Sequence, residues 1–475
     1  MAFLVGGCVR DLLIGLEPKD FDVATDALPE QVKRLFRNCR LVGRRFRLAH
    51  VFFGREIIEV ATFRAASAPA QGEEPLPDAD PEDGEAPELD DPQLEAEALA
   101  APPAESDAGN PVSGVDPSVA RTFASADPDV DTDVLSERMF DETGRILRDN
   151  VYGTIDADVW RRDFTANSLY YNIADFSVWD YCGGVEDVRG RVLKLIGDPE
   201  TRFREDPVRM LRAARFEAKL DFTIDPATAE PISRLRDLLG GVPPARLFDE
   251  TLKLFLGGYG AASYQVLRRR GLLAALLPTV DAYLTAHPGS LVEKLLLQGL
   301  KNTDGRVQAD KPVTPTFLFA LLLYGPIAGI IEATPPERWH ELGTILDACD
   351  LAARQAQENV AIPKRFTLGV REMFALQPRL EHPRGRRALR VLEHPRFRAA
   401  YDLLLLRAQF GLASEDMAHW WTRIQEVSAE ERGQMADSLS GHGAPRMEGG
   451  ASRSHNSGGG GGRRRRRRRR PAGPS

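Results

Sequence analysis

An acidic segment divides the N-terminal part of this chain and limits what the chain can fold into. Between Arg64 and Arg121 there is no lysine or arginine, whereas 15 aspartates and glutamates lie there. The segment is rich in alanine and proline and nearly lacks aromatic residues, so it cannot bury enough apolar surface to offset the entropy of ordering it. We therefore predict a disordered insertion over 65–138 within one folded domain, because the sequence pattern resumes on its far side.

The C-terminal end has the opposite charge. Residues 441–475 hold ten arginines, eight of them in the run Arg463–Arg470, against one glutamate. Glycine and serine dominate the rest, so we predict a second disordered segment. Its arginine run is a candidate for sequence-independent contact with nucleic-acid phosphates, and a solvated tail without function is the alternative. The net charge of −8 sums these two segments and does not indicate a partner.

The remaining sequence has the composition of a globular protein. Apolar residues make up 43% of the chain and charged residues 28%, which are ordinary values. The longest apolar stretch, Phe317–Ile331, contains Pro326 and is shorter than the ~20 residues of a transmembrane helix. We expect no secretory leader, because no basic and then apolar stretch precedes the first predicted strand. The scattered cysteines fit neither a disulfide scaffold nor a zinc site. We expect a cytoplasmic protein without a transmembrane segment.

A glycine turn follows the first predicted strand. The apolar run Phe3–Val5 predicts a strand, Gly6 and Gly7 predict a tight turn, and a helix follows. Adjacent glycines let the backbone approach a ligand closely, and a helix N-terminus attracts anions. Arg10, in the first turn of this helix, adds a positive charge. The pattern predicts a phosphate-binding turn, and an ordinary strand-to-helix connection is the alternative.

Two aspartates come ten residues later. In Lys19–Val23 polar and apolar residues alternate, which predicts a strand with Phe21 and Val23 facing the core. Asp20 and Asp22 would then project together from the other face. Two like charges this close repel each other unless a cation lies between them, and carboxylate oxygens suit Mg²⁺. A polar strand face exposed to water is the alternative.

A neighbouring strand supplies a third acid. The run Glu56–Arg64 is β-branched and apolar enough for a strand, in which Glu59 would face inward and Glu56 would lie at the surface. Three carboxylates on adjacent strands beside a phosphate-binding turn are the groups needed for phosphoryl or nucleotidyl transfer with two metal ions.

Several motifs, taken in order, resemble one known family. The sequences Leu4–Gly15 and Lys19–Asp22 resemble the head of class II nucleotidyltransferases of the polymerase-β superfamily. This family comprises bacterial poly(A) polymerases and CCA-adding tRNA nucleotidyltransferases. The resemblance is close over residues 3–64 and 145–280 and looser in the helical remainder. Its further matches are Arg161–Leu169, Asp180–Asp187 and Arg204–Phe216.

The resemblance implies a role for each matched residue. Asp20, Asp22 and Glu59 would be catalytic and would bind two Mg²⁺ ions. ATP would be the nucleotide substrate. Asp206 and Arg209 would recognise the base, since residues three apart on one helix share a face, and a surface ion pair is the alternative. The implied nucleotide-binding residues are Gly6, Gly7, Arg10, Arg162, Asp163, Asn167, Asp206, Arg209 and Arg212.

Within the family, the polymerase branch is favoured. The segment Leu41–Val51, with Arg44, Arg45 and Arg47, resembles the sequence that separates poly(A) polymerases from their CCA-adding relatives. We therefore expect template-independent addition of AMP from ATP to RNA 3′ ends, with release of pyrophosphate. RNA 3′ ends would be the partner, and the RNA-decay machinery a candidate partner. Supporting matches are Arg202–Asp206 and Pro243–Glu250.

Two alternatives stay open. A CCA-adding tRNA nucleotidyltransferase would perform the same chemistry with CTP and ATP. The chain also begins directly at its first predicted strand, where members of the family carry a longer N-terminus. A head that lacked this part would make the protein an inactive RNA-binding protein.

The predicted fold class is α+β. We expect a mixed-sheet nucleotidyltransferase head over 1–198 and a helical neck for base recognition over 199–260. A helical body with the RNA-binding region would follow over 261–440, and the arginine-rich tail over 441–475. Trp420 and Trp421 are expected in the core. Candidate RNA contacts, each with a solvated face as the alternative, are Arg268–Arg270, Lys364–Arg365 and Arg384–Arg387 with Arg390.

Overall fold

A computed structural model describes residues 1–43, 47–54, 56–65 and 152–439, and the backbone of 138–140 and 146–149. Most of the predicted acidic insertion, the whole arginine-rich tail, and Arg44 and Arg45 lie outside the described residues. Arg138, the last residue assigned to the insertion, is the first residue of a strand.

The described strands form one large mixed sheet and two small pairs. They are β1 (Ala2–Val5), β2 (Asp22–Thr25), β3 (Cys39–Val42), β4 (Leu48–Phe53), β5 (Glu56–Thr62), β6 (Arg138–Phe140), β7 (Ile146–Asp149), β8 (Leu169–Asn172), β9 (Ser177–Asp180), β10 (Val192–Leu193) and β11 (Thr223–Ile224). Seven strands make up the large sheet, in the order β3-β4-β5-β2-β1-β8-β9. Strand β2 pairs with β5 in parallel, whereas the other neighbours in this sheet are antiparallel.

Helices flank the sheet and make up most of residues 199–439. Those of the head are α1 (Gly7–Leu13), α2 (Pro29–Leu35), α3 (Ile155–Arg161) and α4 (Gly184–Arg189). The later ones are α5 (Pro199–Glu205), α6 (Val208–Leu220), α7 (Pro226–Leu235), α8 (Pro244–Phe255), α9 (Gly260–Arg269), α10 (Leu272–Leu276), α11 (Pro278–Ala286), α12 (Leu291–Gln308), α13 (Pro315–Leu322), α14 (Tyr324–Glu332), α15 (Leu342–Gln357), α16 (Lys364–Glu381), α17 (Arg387–Leu392), α18 (Phe397–Gln409), α19 (Glu415–Glu426) and α20 (Ala429–Ser438). The predicted α+β class, with a mixed sheet followed by helices, is confirmed.

The two faces of the sheet are covered by different helices. On one face, Val159 of α3 packs in a small core with Phe3, Val5 and Tyr170. The opposite face packs under α2, through Val32 and neighbouring apolar residues of β4 and β5. The first core draws on β1, β2, β8 and β9, and the second on β3, β4 and β5.

The chain leaves and re-enters the head at one place. Residue Arg64 forms an isolated antiparallel bridge with Tyr152, and the N–H of Gly153 donates to the carbonyl of Phe63 at 2.9 Å. A Cβ at position 153 would lie 2.7 Å from the backbone of Ala65, so only glycine fits there. The two ends of the segment that contains the predicted insertion are therefore held side by side.

The helical part shares one continuous core with the head. This core extends from Cys8 and Val9 of α1 to Trp421 and Ile424 of α19. Trp421 is fully buried, as predicted, and its indole N–H donates to the carbonyl of Leu380 at 2.7 Å.

The basic cluster Arg268–Arg270 pairs with acids of the chain. Arg268 contacts Asp281 at 2.6 Å, and both Arg269 and Arg270 bind the carboxylate of Glu217, at 2.8 and 2.7 Å. These pairs connect α9 to α11 and α6. The prediction that the cluster contacts RNA therefore competes with a structural role that the sequence spacing did not indicate.

No single helix among the described residues is long and apolar enough to cross a membrane. One pair of helices, Pro315–Leu322 and Tyr324–Glu332, passes this test together by length and composition, with a bend of 43° between them.

Arg407 connects several helices of the body. Its guanidinium is 14% exposed and donates to Glu381 at 2.6 Å and to Gln377 at 2.9 Å, both on α16. It also donates to the hydroxyl of Tyr324 on α14 and to the carbonyl of Leu412, each at 3.1 Å. Five donors on one planar group thus tie α18 to two other helices.

We expect Arg407→Ala to lower the free energy of unfolding of the body by about 3 kcal/mol, because it leaves a largely buried carboxylate, Glu381, without its partner. Urea denaturation followed by tryptophan fluorescence measures this. Arg398→Ala on the same helix is the control. Arg398 is 69% exposed in its pair with Asp402, so its loss should cost less than ~1 kcal/mol. Equal effects of the two substitutions would contradict the assignment.

Candidate active site

One row of cross-strand neighbours runs across the entire large sheet and contains two of the three predicted acids. Residues paired in register lie on the same face of a sheet. Asp22 of β2 is therefore beside Glu59 of β5 on the same face, and the prediction that Glu59 lies on a neighbouring strand is confirmed. In spatial order the row is Arg40, His50, Glu59, Asp22, Val5, Tyr170 and Trp179.

The row has a covered half and an open half. Val5 and Tyr170 are buried beneath α3, with 3% and 0% of their surface exposed. Asp22 and Glu59 are exposed, and the side chain of Glu59 retains 49% of its accessible surface. The acids thus lie where the helical cover ends, at a place that a ligand can reach from solvent.

The structure corrects the prediction that Asp20 lies on the same strand as Asp22. Strand β2 begins at Asp22, which pairs with Val5, the last residue of β1. Beyond Val5 the chain turns at Gly6, so no strand remains for Asp20 to pair with. Asp20 therefore lies in the preceding loop, and Phe21, which was expected in the core, is 41% exposed.

The three acids are nevertheless close enough to influence one another. Although Asp22 is exposed as a residue, the surrounding protein partly removes its carboxylate from water and so raises its pKa above the usual range, and the negative charges of Glu59 and Asp20 raise it further. The positive charge of Arg162 acts in the opposite direction. Like charges this close repel one another, and such an environment favours a bound cation.

The donor set fits hard divalent cations such as Mg²⁺, which prefer oxygen ligands. Among the described residues, however, no three acidic, histidine or cysteine side chains are already grouped closely enough to hold a metal ion. The backbone brings Asp22 and Glu59 together in register, and all three acids are exposed. Their side chains are thus free to turn toward a shared ion.

The glycine turn has the geometry that the sequence predicts. Gly6 has a φ of 80°, a conformation that other residues rarely adopt, and it connects β1 to α1. A Cβ at Gly6 would lie 3.5 Å from the carbonyl oxygen of Asn167 and 3.8 Å from the guanidinium of Arg162. The turn therefore lies against Arg161–Leu169, one of the segments that resemble the nucleotidyltransferase family. The N–H groups of Gly7 and its neighbours have no acceptor within α1.

The phosphate-binding interpretation assumed that Arg10 presents its charge to a ligand beside this turn. In the structure Arg10 is buried instead. It is 2% exposed, and its guanidinium binds Asp11 at 2.6 and 2.8 Å. It also donates to the side-chain oxygen of Asn167. Its place in the structure is that of a buried support for Asn167, and direct contact with a nucleotide stays a prediction.

A chain of hydrogen bonds continues from Asn167 into the helical region. The side-chain amide of Asn167 donates to Asp163 at 3.5 Å, and Arg212 of α6 donates to the other oxygen of Asp163 at 2.6 Å. The sequence prediction grouped Arg10, Asn167, Asp163 and Arg212, and the structure brings all four together in one network.

Arg162 belongs to a second network. Its guanidinium donates to Asp158 at 2.9 and 3.1 Å and to the hydroxyl of Tyr170 at 2.8 Å. The Tyr170 hydroxyl in turn donates to Asp158 at 2.7 Å. These contacts fix Arg162 near Asp22, and its positive charge opposes the rise in the pKa of Asp22.

The expectation that Asp206 and Arg209 share a helix face is wrong. Helix α5 ends at Glu205, and Asp206 is extended, because a residue that precedes proline disfavours the helical conformation and Pro207 follows. Asp206 is bound by both terminal nitrogens of Arg246, at 2.7 and 2.8 Å. Arg209 instead donates to Glu205.

Sequence reasoning missed three partners of the predicted residues. They are His50 beside Glu59, Asp158 beneath Arg162, and Arg246 beside Asp206. Arg246 lies in the segment Pro243–Glu250, which the resemblance had marked without giving it a role. His50 likewise lies in the marked segment Leu41–Val51, and Asp158 is four positions before Arg162, a spacing that the sequence reasoning did not use.

The buried pair of Asp163 and Arg212 predicts a pH dependence of stability. Burial alone would raise the pKa of Asp163, but the charge and hydrogen bond of Arg212 outweigh this effect and hold the pKa below its usual range. The stabilisation is therefore complete above the unfolded pKa of about 3.9 and is lost as the pH falls through the lower folded value.

We expect the wild-type protein to have a higher thermal unfolding midpoint than Asp163→Asn at neutral pH, and the difference to shrink below about pH 4. Midpoints of both proteins measured from neutral to acidic pH test this. A difference that stays constant over this range would show that the pair does not contribute through its charge.

The sequence resembles known protein families over most of its length. The chain matches three family models, over different parts of its length. They are "Poly A polymerase head domain" at residues 2–83 and 118–194, "Probable RNA and SrmB- binding site of polymerase A" at 221–284, and "Polymerase A arginine-rich C-terminus" at 338–471.

Curated relatives extend the match over almost the whole chain. "Poly(A) polymerase I" of Salmonella typhi is 44% identical over 451 residues, which cover 94% of this chain and 83% of that protein. The enzyme of the same name from Haemophilus influenzae is 40% identical over 441 residues, covering 91% and 83%. "CCA-adding enzyme" of Bacillus subtilis is 30% identical over 266 residues, covering 56% and 49%.

A solved structure, "Structure of tRNA-processing enzyme complex 3", covers 92% of this chain and 95% of its own, with a TM-score of 0.52 and 18% identity. This likeness shows the fold. Sequence identity to poly(A) polymerases over more than nine-tenths of this chain, together with the match to their head domain, shows more. The chain belongs to the poly(A) polymerase family of nucleotidyltransferases.

Proposed function

We propose that this protein is a template-independent poly(A) polymerase, which transfers AMP from ATP to the 3′-hydroxyl of RNA and releases pyrophosphate. The observation that carries the proposal is the register pair of Asp22 and Glu59 on parallel strands, beside the Gly6 turn. Family membership supports the choice of reaction, because the poly(A) polymerase relatives match 94% of the chain and the CCA-adding relative 56%.

We infer that Asp20, Asp22 and Glu59 would hold two Mg²⁺ ions. Such ions, when bound, lower the pKa of the attacking hydroxyl and neutralise the charge of the leaving pyrophosphate. The chain contributes carboxylate oxygens on an exposed sheet face, from two fixed strand positions and one loop position. Arg162, held by Asp158 and Tyr170, adds a fixed positive charge near Asp22.

The groups around the turn would bind the nucleotide. The N–H groups at the start of α1, with Gly6 and Gly7 leaving room beside them, would approach the triphosphate. Arg10 would act by holding Asn167, and Asp163 by holding Arg212. The roles of Asp163, Asn167 and Arg212 in binding the sugar and phosphates would therefore depend on one connected network. Arg162 joins this network by donating to the backbone carbonyl of Asn167 at 3.5 Å.

Base selection would take place at the start of α6. Arg246 occupies one lone pair on each oxygen of Asp206, and a carboxylate has further lone pairs that can accept from an amino group of a base. Arg209 lies on the following turn and is oriented by Glu205. Fixed donors and acceptors of this kind would let the protein select a nucleotide without a template.

RNA 3′ ends would be the second substrate. The match of residues 221–284 to a model whose description names RNA supports an RNA-binding region in the helical part. We place the neck at 199–260 and the body at 261–440. The RNA-decay machinery as a partner, and a cytoplasmic setting, are further parts of this proposal.

Incubation of the protein with an RNA oligonucleotide and one nucleoside triphosphate at a time tests the reaction. We expect a long tail with ATP and little extension with CTP, GTP or UTP. Termination after CCA on a tRNA substrate with CTP and ATP would instead identify a CCA-adding enzyme. No extension of any RNA, with RNA binding retained, would identify an RNA-binding protein without activity.

Substitution of the acids tests the site. We expect Asp22→Ala and Glu59→Gln to lower the rate of AMP addition by at least about a thousandfold, which corresponds to ~4 kcal/mol of transition-state stabilisation. RNA affinity, measured by fluorescence anisotropy, should stay close to that of the wild type. Loss of RNA binding in these variants would mean that the acids are structural.

Glu56→Gln is the matched control for Glu59→Gln. Glu56 lies on the same strand, three residues earlier, and therefore on the opposite face. This variant should retain nearly full activity. A similar loss in both variants would indicate that the strand, rather than the acid face, is sensitive to change.

A further inference from the structure

His50 is a neighbour of the acidic site that the proposed chemistry does not use. It lies on β4 directly opposite Glu59 of β5, and its Nε2 is 3.3 Å from an Oε of that carboxylate. The imidazole is 22% exposed, less than half the value of Glu59 at 49%. A partly buried, stiff ring thus contacts a long, exposed side chain on the side away from Asp22.

Glu59 needs such a contact more than Asp22 does. A glutamate has three rotatable side-chain bonds, and the exposed carboxylate of Glu59 has few other constraints on its rotation. Metal sites depend on neighbours that fix the orientation of each ligand, and loss of one such neighbour typically costs ten- to a hundredfold in metal affinity. Asp22 is shorter and is flanked by Glu59 and Val5 on the two adjoining strands.

We propose that His50 is a positioning residue for the metal site, which engages one oxygen of the Glu59 carboxylate from the side away from Asp22 and so leaves the other oxygen facing Asp22. The proposal rests on the proposed function, because it assumes that Glu59 is a metal ligand. His50 does not touch the reacting atoms. It acts by reducing the number of conformations that Glu59 must lose when a cation binds.

The cross-strand row supplies its own control. Arg40 is the next residue of the row, on β3, paired in register with His50 and exposed. It is two strands away from Glu59, or about 10 Å at the usual strand spacing. A substitution there changes the same row without changing the contact to Glu59.

Binding of Mn²⁺ to the full-length protein without nucleotide tests the proposal, with the loss of the free-ion signal in electron paramagnetic resonance as the readout. We expect His50→Ala to weaken binding by about tenfold or more. His50→Gln should restore most of the affinity, because its side-chain N–H reaches a position similar to Nε2. Arg40→Gln should bind as the wild type does, and thermal unfolding of each variant verifies that it is folded.

Steady-state kinetics give a second readout. In His50→Ala the Mg²⁺ concentration for half-maximal AMP addition should rise by the same factor, and the rate at saturating Mg²⁺ should largely recover. Unchanged Mn²⁺ affinity in a folded His50→Ala protein would overturn the positioning role alone. If Asp22→Ala binds Mn²⁺ as tightly as the wild type does, the metal site itself is absent, and the proposed function fails with it.

Discussion

The parallel pairing of β2 with β5 determines the location of every other part of the candidate site. In this register Asp22 lies beside Glu59, and a shift by one residue would turn one of the two acids to the opposite face. The pairing is parallel and therefore needs a connection that returns to the same end of the sheet. This connection contains α2 and the antiparallel strands β3 and β4, and β4 brings His50 to the other side of Glu59. The path of the chain between the two acids thus also supplies the neighbour of the second acid.

Burial of polar groups connects this site to the helical region. Arg10, Asn167, Asp163 and Arg212 form one continuous set of hydrogen bonds from the first helix to α6. A buried charge without a partner would cost several kcal/mol, so each member fixes the next. The same argument explains why Arg10 is 2% exposed although it follows a glycine turn that is suited to anions. Its charge is balanced by Asp11, and its contribution to the site is the orientation of Asn167.

The sequence predicted what depends on local pattern, and it missed what depends on distant partners. The turn at Gly6, the strand that carries Glu59 and the helical remainder follow from glycine placement and from periods of two and 3.6 residues. The register that puts Asp22 and Glu59 on one face depends on pairing between strands. Asp20 was wrongly assigned to the strand because the first residue of β2 is determined by its pairing with the last residue of β1. Pairing between strands is not visible in a local sequence pattern. The break at Asp206 was visible in Pro207, but the spacing to Arg209 was given more weight. Arg246 is 40 positions from Asp206 in the chain, and no local pattern connects the two.

The position of the acidic insertion follows from the same geometry. It is placed between β5 and α3, after the sheet has paired Arg64 with Tyr152. Because these two residues are neighbours, extra chain between them lengthens a loop whose ends are already fixed, and the entropy of closing a loop increases only slowly with its length. Gly153 is required here for a steric reason, since a side chain would collide with Ala65 where the two ends run together. An insertion between β2 and β5 would be different in kind, because it would alter the connection that sets the register of Asp22 and Glu59. The head can therefore accept a long segment after Glu59, whereas the connection between β2 and β5 has to keep its length.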